Sequence, residues 1–502
     1  MLSNKDMKPK ALDKDLDRLG FLGDAAEAMG RRLTGPGLAI VFLALCAVVA
    51  GSQVVTTDWT HVLFLVAASV VGGYMALNIG ANDVANNVGP AVGARVVSLT
   101  TALIIAAVCE SAGALLAGSR VVSTISGSIL SPADVPDNSA FMLAMLTAMA
   151  AAALWINVAT LIGAPVSTTH SIIGGVVGAG IAVSGFAAIN WTTVSAIAGT
   201  WVVSPFLGGV IAAILMAFIN TRLIYAEHKV EAAKLWLPLL LGGMAATFVA
   251  FLANKIADRM VHVEIWQIAM LALVAGIAVW WLYNKIISAQ ALELDNSTKS
   301  LRTLFTFPLI LTAGLLSFAH GANDVANAIG PLAAIVQSQS KDFTDLSFWF
   351  MGKLNPEIPL WVGAVGAFGI SAGLLLFGRR LITVVGKQIT KLSPIRAFCV
   401  TSSAAATVLT ASGLGLPVSS THIAVGAVFG VGFYREWHRN RYVAENGILK
   451  PRKIIRNKVE RRRRLLVRRT NLITIVAAWV VTVPGSALLA GVIFTALHAL
   501  FF

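Results

Sequence analysis

Two aspartates, Asp83 and Asp324, stand in a string that occurs twice: Gly80-Ala-Asn-Asp-Val-Ala-Asn-Asn-Val-Gly-Pro90 and Gly321-Ala-Asn-Asp-Val-Ala-Asn-Ala-Ile-Gly-Pro331. Nine of the eleven positions are identical, and only Asn87/Ala328 and Val88/Ile329 differ. Each copy follows a long apolar run, Leu63 to Ile79 and Phe305 to Ala319. A carboxylate and its neighbouring amides thus fall where hydrocarbon or packed protein is expected. Such groups cost several kcal/mol unless paired, which makes an ionisable residue inside a span a candidate functional site. Asn and small residues also hold membrane helices together, and duplication preserves either role.

A second pair is Pro165-Val-Ser-Thr-Thr-His170 and Pro417-Val-Ser-Ser-Thr-His422. Proline suits the first turn of a helix, where a missing N–H costs nothing. The hydroxyls that follow, Ser167, Thr168, Thr169, Ser419, Ser420 and Thr421, would then stand with free backbone N–H groups at a positive helix end, which is an anion site. The alternative is back-bonding of these hydroxyls to the preceding turn.

Charge balance limits what such a site can hold. The motifs carry Asp83 and Asp324 but no Lys or Arg, and Arg95 stands only beyond the first of them. An anion would meet like charge unless cations came with it. These would be metal ions on the oxygens of Asn82, Asp83, Asn323 and Asp324, or protons on the carboxylates. Hard oxygen ligands suit a hard ion such as Na⁺. Cation–anion symport is the chemistry this implies, with no cofactor besides the coupling ion. Glu110 is a further carboxylate inside an apolar run, and its counterpart in the second copy is Ile370, so its role is asymmetric. Pairing with a neighbouring helix would account for it equally well. His170, His320 and His422 flank the motifs without ligand spacing and read as capping or packing residues.

The elements that must position these groups are membrane helices. Of 502 residues, 57% are hydrophobic and 12% charged, with mean hydropathy +0.79. Soluble proteins carry about 25% charged residues, so the expected fold is an all-α polytopic membrane protein. The net charge of +14 lies outside the apolar runs, where it orients loops rather than binding nucleic acid. Cys46, Cys109 and Cys399 all fall in apolar segments and read as small packing residues, and the twelve tryptophans fit interfacial belts.

The order along the chain is a polar N-terminal extension (1–36), an extra spanning helix (37–56), a first repeat (62–220), a central helix pair (235–284), a polar loop (285–302) and a second repeat (303–502). Ser111-Ala-Gly113 and Gly118 align with Ser371-Ala-Gly373 and Gly378. In the first repeat the link 187–193 carries no charge, whereas the equivalent basic insert 438–470 carries thirteen Lys/Arg against two Glu. Positive-inside logic puts the insert in the cytoplasm and the first link outside, so the repeats are expected to be inverted. The basic run 461–469 then serves orientation or meets anionic lipid. Five spans per repeat, the central pair and the extra helix make thirteen, N-terminus cytoplasmic and C-terminus outside, in a cell (inner) membrane. Both motif pairs are expected to be broken or re-entrant helices, the architecture of secondary transporters.

These motifs, with Gly378-Arg-Arg-Leu-Ile-Thr-Val-Val-Gly386, resemble the signatures of the inorganic phosphate transporter (PiT) family over about 62–502. The resemblance implies a symporter moving inorganic phosphate with Na⁺ or H⁺. It implies further that Asp83, Asn86, Asp324 and Asn327 help hold cations and phosphate, that the Ser/Thr groups 167–169 and 419–421 hold phosphate, and that Glu110 matches a glutamate of Na⁺-using members. The N-terminal extension and the length of the basic insert depart from the family pattern. A sulfate permease on the same fold is the nearest rival. Asp and Asn acceptors favour phosphate, because it can carry a proton to donate. An enzyme is not expected, since no nucleophile or metal cluster stands in the loops, and a channel fits poorly with an occluded central site. A homodimer is left open. The loop charges make the first prediction: single cysteines at position 190 label from outside and at position 455 only from the cytoplasm, and labelling of both from one face rules out inversion.

Overall fold

The computed structural model describes residues 33–53, 59–162, 166–257, 263–339, 358–388, 392–445 and 469–501. The N-terminal extension up to residue 32, Pro165 and most of the basic insert lie outside the described residues. Sixteen α-helices follow in order: α1 Leu33–Ser52, α2 Trp59–Asn87, α3 Gly89–Gly93, α4 Leu99–Ala117, α5 Ser119–Gly127, α6 Asn138–Ile162, α7 Thr168–Ser184, α8 Trp191–Ile219, α9 Lys229–Ala257, α10 Ile265–Ala291, α11 Thr298–Leu304, α12 Thr306–Ser338, α13 Leu360–Gln388, α14 Pro394–Gly413, α15 Ser420–Glu445 and α16 Arg469–Phe501. Local chemistry sets many starts. Ser98, Ser167, Asn190 and Ser297 cap α4, α7, α8 and α11, Glu264 and Gln267 form a capping box on α10, and Pro394 opens α14.

All thirteen expected helices are present among the described residues. Ten are long and apolar enough to cross a membrane, and α12 makes an eleventh when joined to α11 across a 40° bend. Two do not pass that test. Helix α7 has only 17 residues, and α15 is too polar at its C-terminal end, running into the start of the basic insert. The central pair is longer than expected at both ends, and α11 occupies part of the polar loop.

The expectation of broken helices at the Gly-Ala-Asn-Asp motifs is met in the first copy, where the helix breaks at Val88 before Gly89-Pro90, and is corrected in the second. Helix α2 runs unbroken through Gly80 and Asp83 to Asn87, and α12 passes through Gly321, Asp324 and even Pro331 to Ser338. The glycines are used for crossing instead. A Cβ on Gly80 would run into Ile370 O of α13, and one on Gly373 into Leu77 O of α2. The equivalent contacts join α12 and α4, where Gly321 meets Glu110 O and Gly113 meets Phe318 O. Small residues let membrane helices approach backbone to backbone, and here each motif helix crosses a helix of the other repeat.

Further breaks fall at the other motif pair. Helix α7 packs against α6 and α15 against α14, and α7 and α15 each begin at buried residues, Ser167-Thr168 and Ser419-Ser420. Helix α7 lies along α16, with Gly174 and Gly178 against Val483 and Ala487; α15 lies along α8, with Gly426 and Gly430 against Pro205 and Gly209. The two motif helices run antiparallel. Gly72 of α2 meets Ala328 and Leu332 of α12, whereas Asp83, further along α2, meets His320, earlier in α12. Antiparallel equivalents are what an inverted duplication requires. Helix α1 docks on this frame, with Cys46 against Gly73 and Ser69 Oγ donating to Cys46 O at 3.0 Å.

Two pairs of equivalent residues touch each other, as they would at the axis of an inverted duplication: Ser111 with Ser371, Oγ to Oγ 2.6 Å, and His170 with His422, ring centroids 4.5 Å apart. Cysteines replacing Ser111 and Ser371 together should therefore form an inter-repeat disulfide on mild oxidation, the two Oγ atoms standing 2.6 Å apart where sulfurs bond at ~2.05 Å. Failure to crosslink in the folded double variant would contradict this axis.

Candidate functional site

Ser167 and Ser419 are helix caps. Ser167 Oγ accepts from His170 N at 3.2 Å, and Ser419 Oγ from His422 N at 3.3 Å. They hold the first turns of α7 and α15, so that Thr168, Thr169, Ser420 and Thr421 present hydroxyls and helix N-termini to the interior. The two tips meet there. Thr169 Oγ1 donates to Val418 O at 2.9 Å, and the His170 ring packs between His422 and Trp201, 3.8 Å from the latter.

The motif helices bring their aspartates to these tips. Asp83 is fully buried and receives Thr421 Oγ1 at 2.9 Å, Thr168 Oγ1 at 3.2 Å and Asn86 Nδ2 at 3.3 Å. Asp324, equally buried, receives Ser420 Oγ at 2.9 Å on Oδ2, while its Oδ1 accepts no hydrogen bond among the described residues. Asn86 also donates to Thr421 Oγ1 at 2.9 Å, and Asn327 to Thr169 Oγ1 at 3.1 Å and Thr168 Oγ1 at 3.3 Å. The hydroxyls and these two asparagines thus share one site with both carboxylates.

Asn82 and Asn323 do something else. Asn82 Nδ2 donates to Thr160 Oγ1 at 2.8 Å, and Asn323 Nδ2 to the equivalent Ser412 Oγ at 3.1 Å. Asn323 also donates to Leu416 O at 3.1 Å and accepts from Val418 N at 3.2 Å. Both tie a motif helix to the bend of a hairpin, and the described bonds of Asn323 leave neither of its polar atoms aimed at the carboxylates.

Glu110 enters from α4 as a third buried carboxylate. Its Oε1 accepts from Asn87 Nδ2 at 2.7 Å. Between the three carboxylates lies His320, with Nε2 at 3.0 Å from Asp324 Oδ2 and 3.7 Å from Asp83 Oδ2, and Nδ1 at 3.3 Å from Glu110 Oε2. Sequence reasoning treated His320 as a packing residue. The signal that could have found it is its spacing to Asp324, one helical turn, which puts both side chains on one face. Also missed were two cations on the bend after α14: Arg120 Nη1 donates to Gly413 O at 2.8 Å, and Lys255 Nζ to Ser412 O at 3.4 Å. They meet the negative end of that helix.

Comparisons with known proteins point to one family. A family model described as "Phosphate transporter family" matches residues 79–490. A Helicobacter pylori (strain J99) protein, assigned by its name to the phosphate permeases, is 43% identical over 484 residues, covering 87% of this chain and 90% of its own length. The Arabidopsis thaliana "Inorganic phosphate transporter 2-1, chloroplastic" is 36% identical over 86% of this chain and 71% of its own. A solved structure described as "The sodium-dependent phosphate transporter" superposes with a TM-score of 0.76 at 32% identity, covering 88% of this chain and all of the other.

Because Asn323 satisfies Val418 N and Leu416 O in a buried bend, Asn323→Ala should cost about 1–3 kcal/mol of stability, the penalty for orphaning such groups. Asn82→Ala, losing its one described bond to Thr160, should cost less. Unfolding midpoints of the purified variants read the difference, and equal midpoints would contradict the strap.

Proposed function

The chain belongs to the phosphate transporter family, and from that premise we propose that it carries inorganic phosphate across a cell membrane together with cations, Na⁺ in preference to H⁺. The observation that carries the reading is the meeting of two buried helix N-termini with two buried aspartates, Thr168 and Thr421 on Asp83 and Ser420 on Asp324. Helix N-termini with hydroxyls bind oxyanions, and carboxylates bind hard cations. Phosphate takes the place between the tips, held by Thr168, Thr169, Ser420 and Thr421 with the amides of Asn86 and Asn327. Asp83 and Asp324 hold the cations. Ser167, Ser419, Asn82 and Asn323 act on the ligands indirectly, by fixing the tips. The N-terminus lies in the cytoplasm and the C-terminus outside.

Electrostatics supports coupling. Three carboxylates, Asp83, Asp324 and Glu110, face one imidazole, so even a charged His320 leaves two formal negative charges before phosphate enters. At an effective dielectric of ~20, like charges ~4 Å apart repel by about 4 kcal/mol per pair. Two or more cations must accompany each anion. An amide–carboxylate cluster chelates a metal ion, whereas a proton needs only one carboxylate, and this favours Na⁺.

Uptake of labelled phosphate into vesicles reconstituted with the protein, with Na⁺ and proton gradients imposed separately, tests the reading. Accumulation should follow the Na⁺ gradient and be abolished by Asp83→Asn or Asp324→Asn. Thr168→Ala or Ser420→Ala should each weaken uptake about tenfold, a hydrogen bond to a charged group being worth ~1.5–3 kcal/mol. Uptake indifferent to Na⁺ that collapses with the proton gradient would make the aspartates proton carriers. Normal uptake by both alanine variants would move the anion site elsewhere.

A further inference from the structure

Helices α12, α14 and α15 carry Asp324, Ser412 and Thr421 at the site, and three arginines gather at their other end. Helices α12 and α14 run side by side in the same direction. Phe305 packs on Phe398 with ring centroids 5.4 Å apart, Thr312 meets Thr401 at 2.7 Å, and Asn323 meets Ser412 at 3.1 Å. Arg302, just before the start of α12, therefore lies beside Arg396 in the first turn of α14. Helix α15 returns to the same end and adds Arg435. Leu301, Ile395 and Val431, each next to one of these arginines or one turn from it, share a single buried cluster. The charges of Arg302 and Arg435 both bear on Arg396. We propose that Arg302, Arg396 and Arg435 form a second anion site, which takes a phosphate group.

The electrostatics of this end call for an anion. Arg396 and Arg435 are half-buried, and among the described residues no ion pair involves Arg302 or Arg396. Neither α12 nor α14 has an acidic residue in its first turn, so both helix dipoles add to the positive potential instead of offsetting it. Arg396 Nε donates to Ser393 Oγ at 3.0 Å. That bond fixes the guanidinium at the helix start and leaves its two Nη groups to grip an oxyanion. Arginines that only orient a loop can spread into water, where salt screens them from one another.

The geometry of α15 bears on where the phosphate group comes from. Arg435 stands fourteen residues beyond Thr421, about 21 Å along the axis and on nearly the same side of the helix. Phe433 and Trp437 lie on the opposite side, where they are exposed along the groove between α8 and α15. This favours an inorganic phosphate ion over the headgroup of an anionic phospholipid, which would approach from the aromatic side. The site is single, because the first-repeat equivalents of the three arginines are His61, Ala144 and Val183. On the orientation proposed above this end is cytoplasmic, so its occupancy follows the phosphate concentration there.

The inference rests on the transport reading only for the side of the membrane, and its test uses neither transport nor a gradient. Binding of labelled phosphate to the purified full-length chain is measured at equilibrium in neutral detergent without Na⁺, which on that reading leaves the tips unloaded. One phosphate should bind per chain. Arg396→Gln and Arg302→Gln should each weaken binding by about tenfold, as expected for losing a hydrogen bond to a charged group. The exposed Arg302 decides the matter if the other variant does not fold. A second arm adds phosphatidylglycerol in mixed micelles. Label that stays bound assigns the site to inorganic phosphate. Displacement of the label, with phosphatidylglycerol retained by the wild-type chain and lost from Arg302→Gln, assigns it to the headgroup. Binding of neither, binding unchanged in both arginine variants, or phosphate binding lost in Thr168→Ala would each overturn the site.

Discussion

Three carboxylates buried at the centre of a membrane protein are the constraint the rest of the structure answers. None can be left without donors in a medium where an unpaired charge costs several kcal/mol. The donors arrive in two ways. Asn86 and Asn87 come from the motif helix itself, one turn beyond Asp83 and alongside it. Thr168, Ser420 and Thr421 come from helices that begin beside the aspartates. A helix passing straight through would offer no free N-terminus there, which is why α7 and α15 start inside the protein. The glycine crossings serve the same end. Only backbone contact between α12 and α4 lets His320 reach Glu110 and Asp83 at once.

The duplication reproduces most of this chemistry and departs from it at a few places. Asn82 with Thr160 repeats as Asn323 with Ser412, Asn86 with Thr421 as Asn327 with Thr169, and Thr168 with Asp83 as Ser420 with Asp324. The departures are coupled. Thr421 donates to Asp83, but its equivalent Thr169 donates to Val418 O, and Asp324 has His320 beside it instead. Asn87 and Glu110 occur together in one repeat, and Ala328 and Ile370 together in the other. Each pair makes sense only as a pair, because a buried glutamate without its amide, or an amide facing isoleucine, would leave a polar group unsatisfied.

Much of this was legible in the sequence because the chemistry is local. The repeated Asp and Asn, the helix starts after Pro165 and Pro417, and the helix count all rest on short strings or on hydropathy, whereas Ser167 and Ser419, expected to hold phosphate, turn out to cap those helices. What was not legible depends on partners far along the chain. Gly80 and Gly321 read as helix breakers, yet they are crossing points. A glycine within an apolar helix looks the same in either role until the carbonyls of Ile370 and Glu110 are placed against it. Glu110 and its asymmetry were visible, but its partner was not, since the imidazole lies in the other repeat. The anchoring of Gly413 by Arg120 spans 293 positions, and no local pattern announces it.

The same hydrogen bonds would give the proposed coupling an atomic basis. A hydroxyl has one proton and can donate it once. Thr168, Ser420 and Thr421 now direct theirs at the aspartates, so they have none for an anion. A cation on Asp83 or Asp324 supplies the positive charge that those protons supplied, and the hydroxyls are then released to turn toward phosphate. An anion held by the hydroxyls conversely leaves the carboxylates in need of a cation. Each ligand thus lowers the cost of binding the other, and by linkage the effect is equal in both directions. Symport on the proposed reading needs no signal carried over distance, because the carboxylates and the anion contend for the same three protons and the cation frees them.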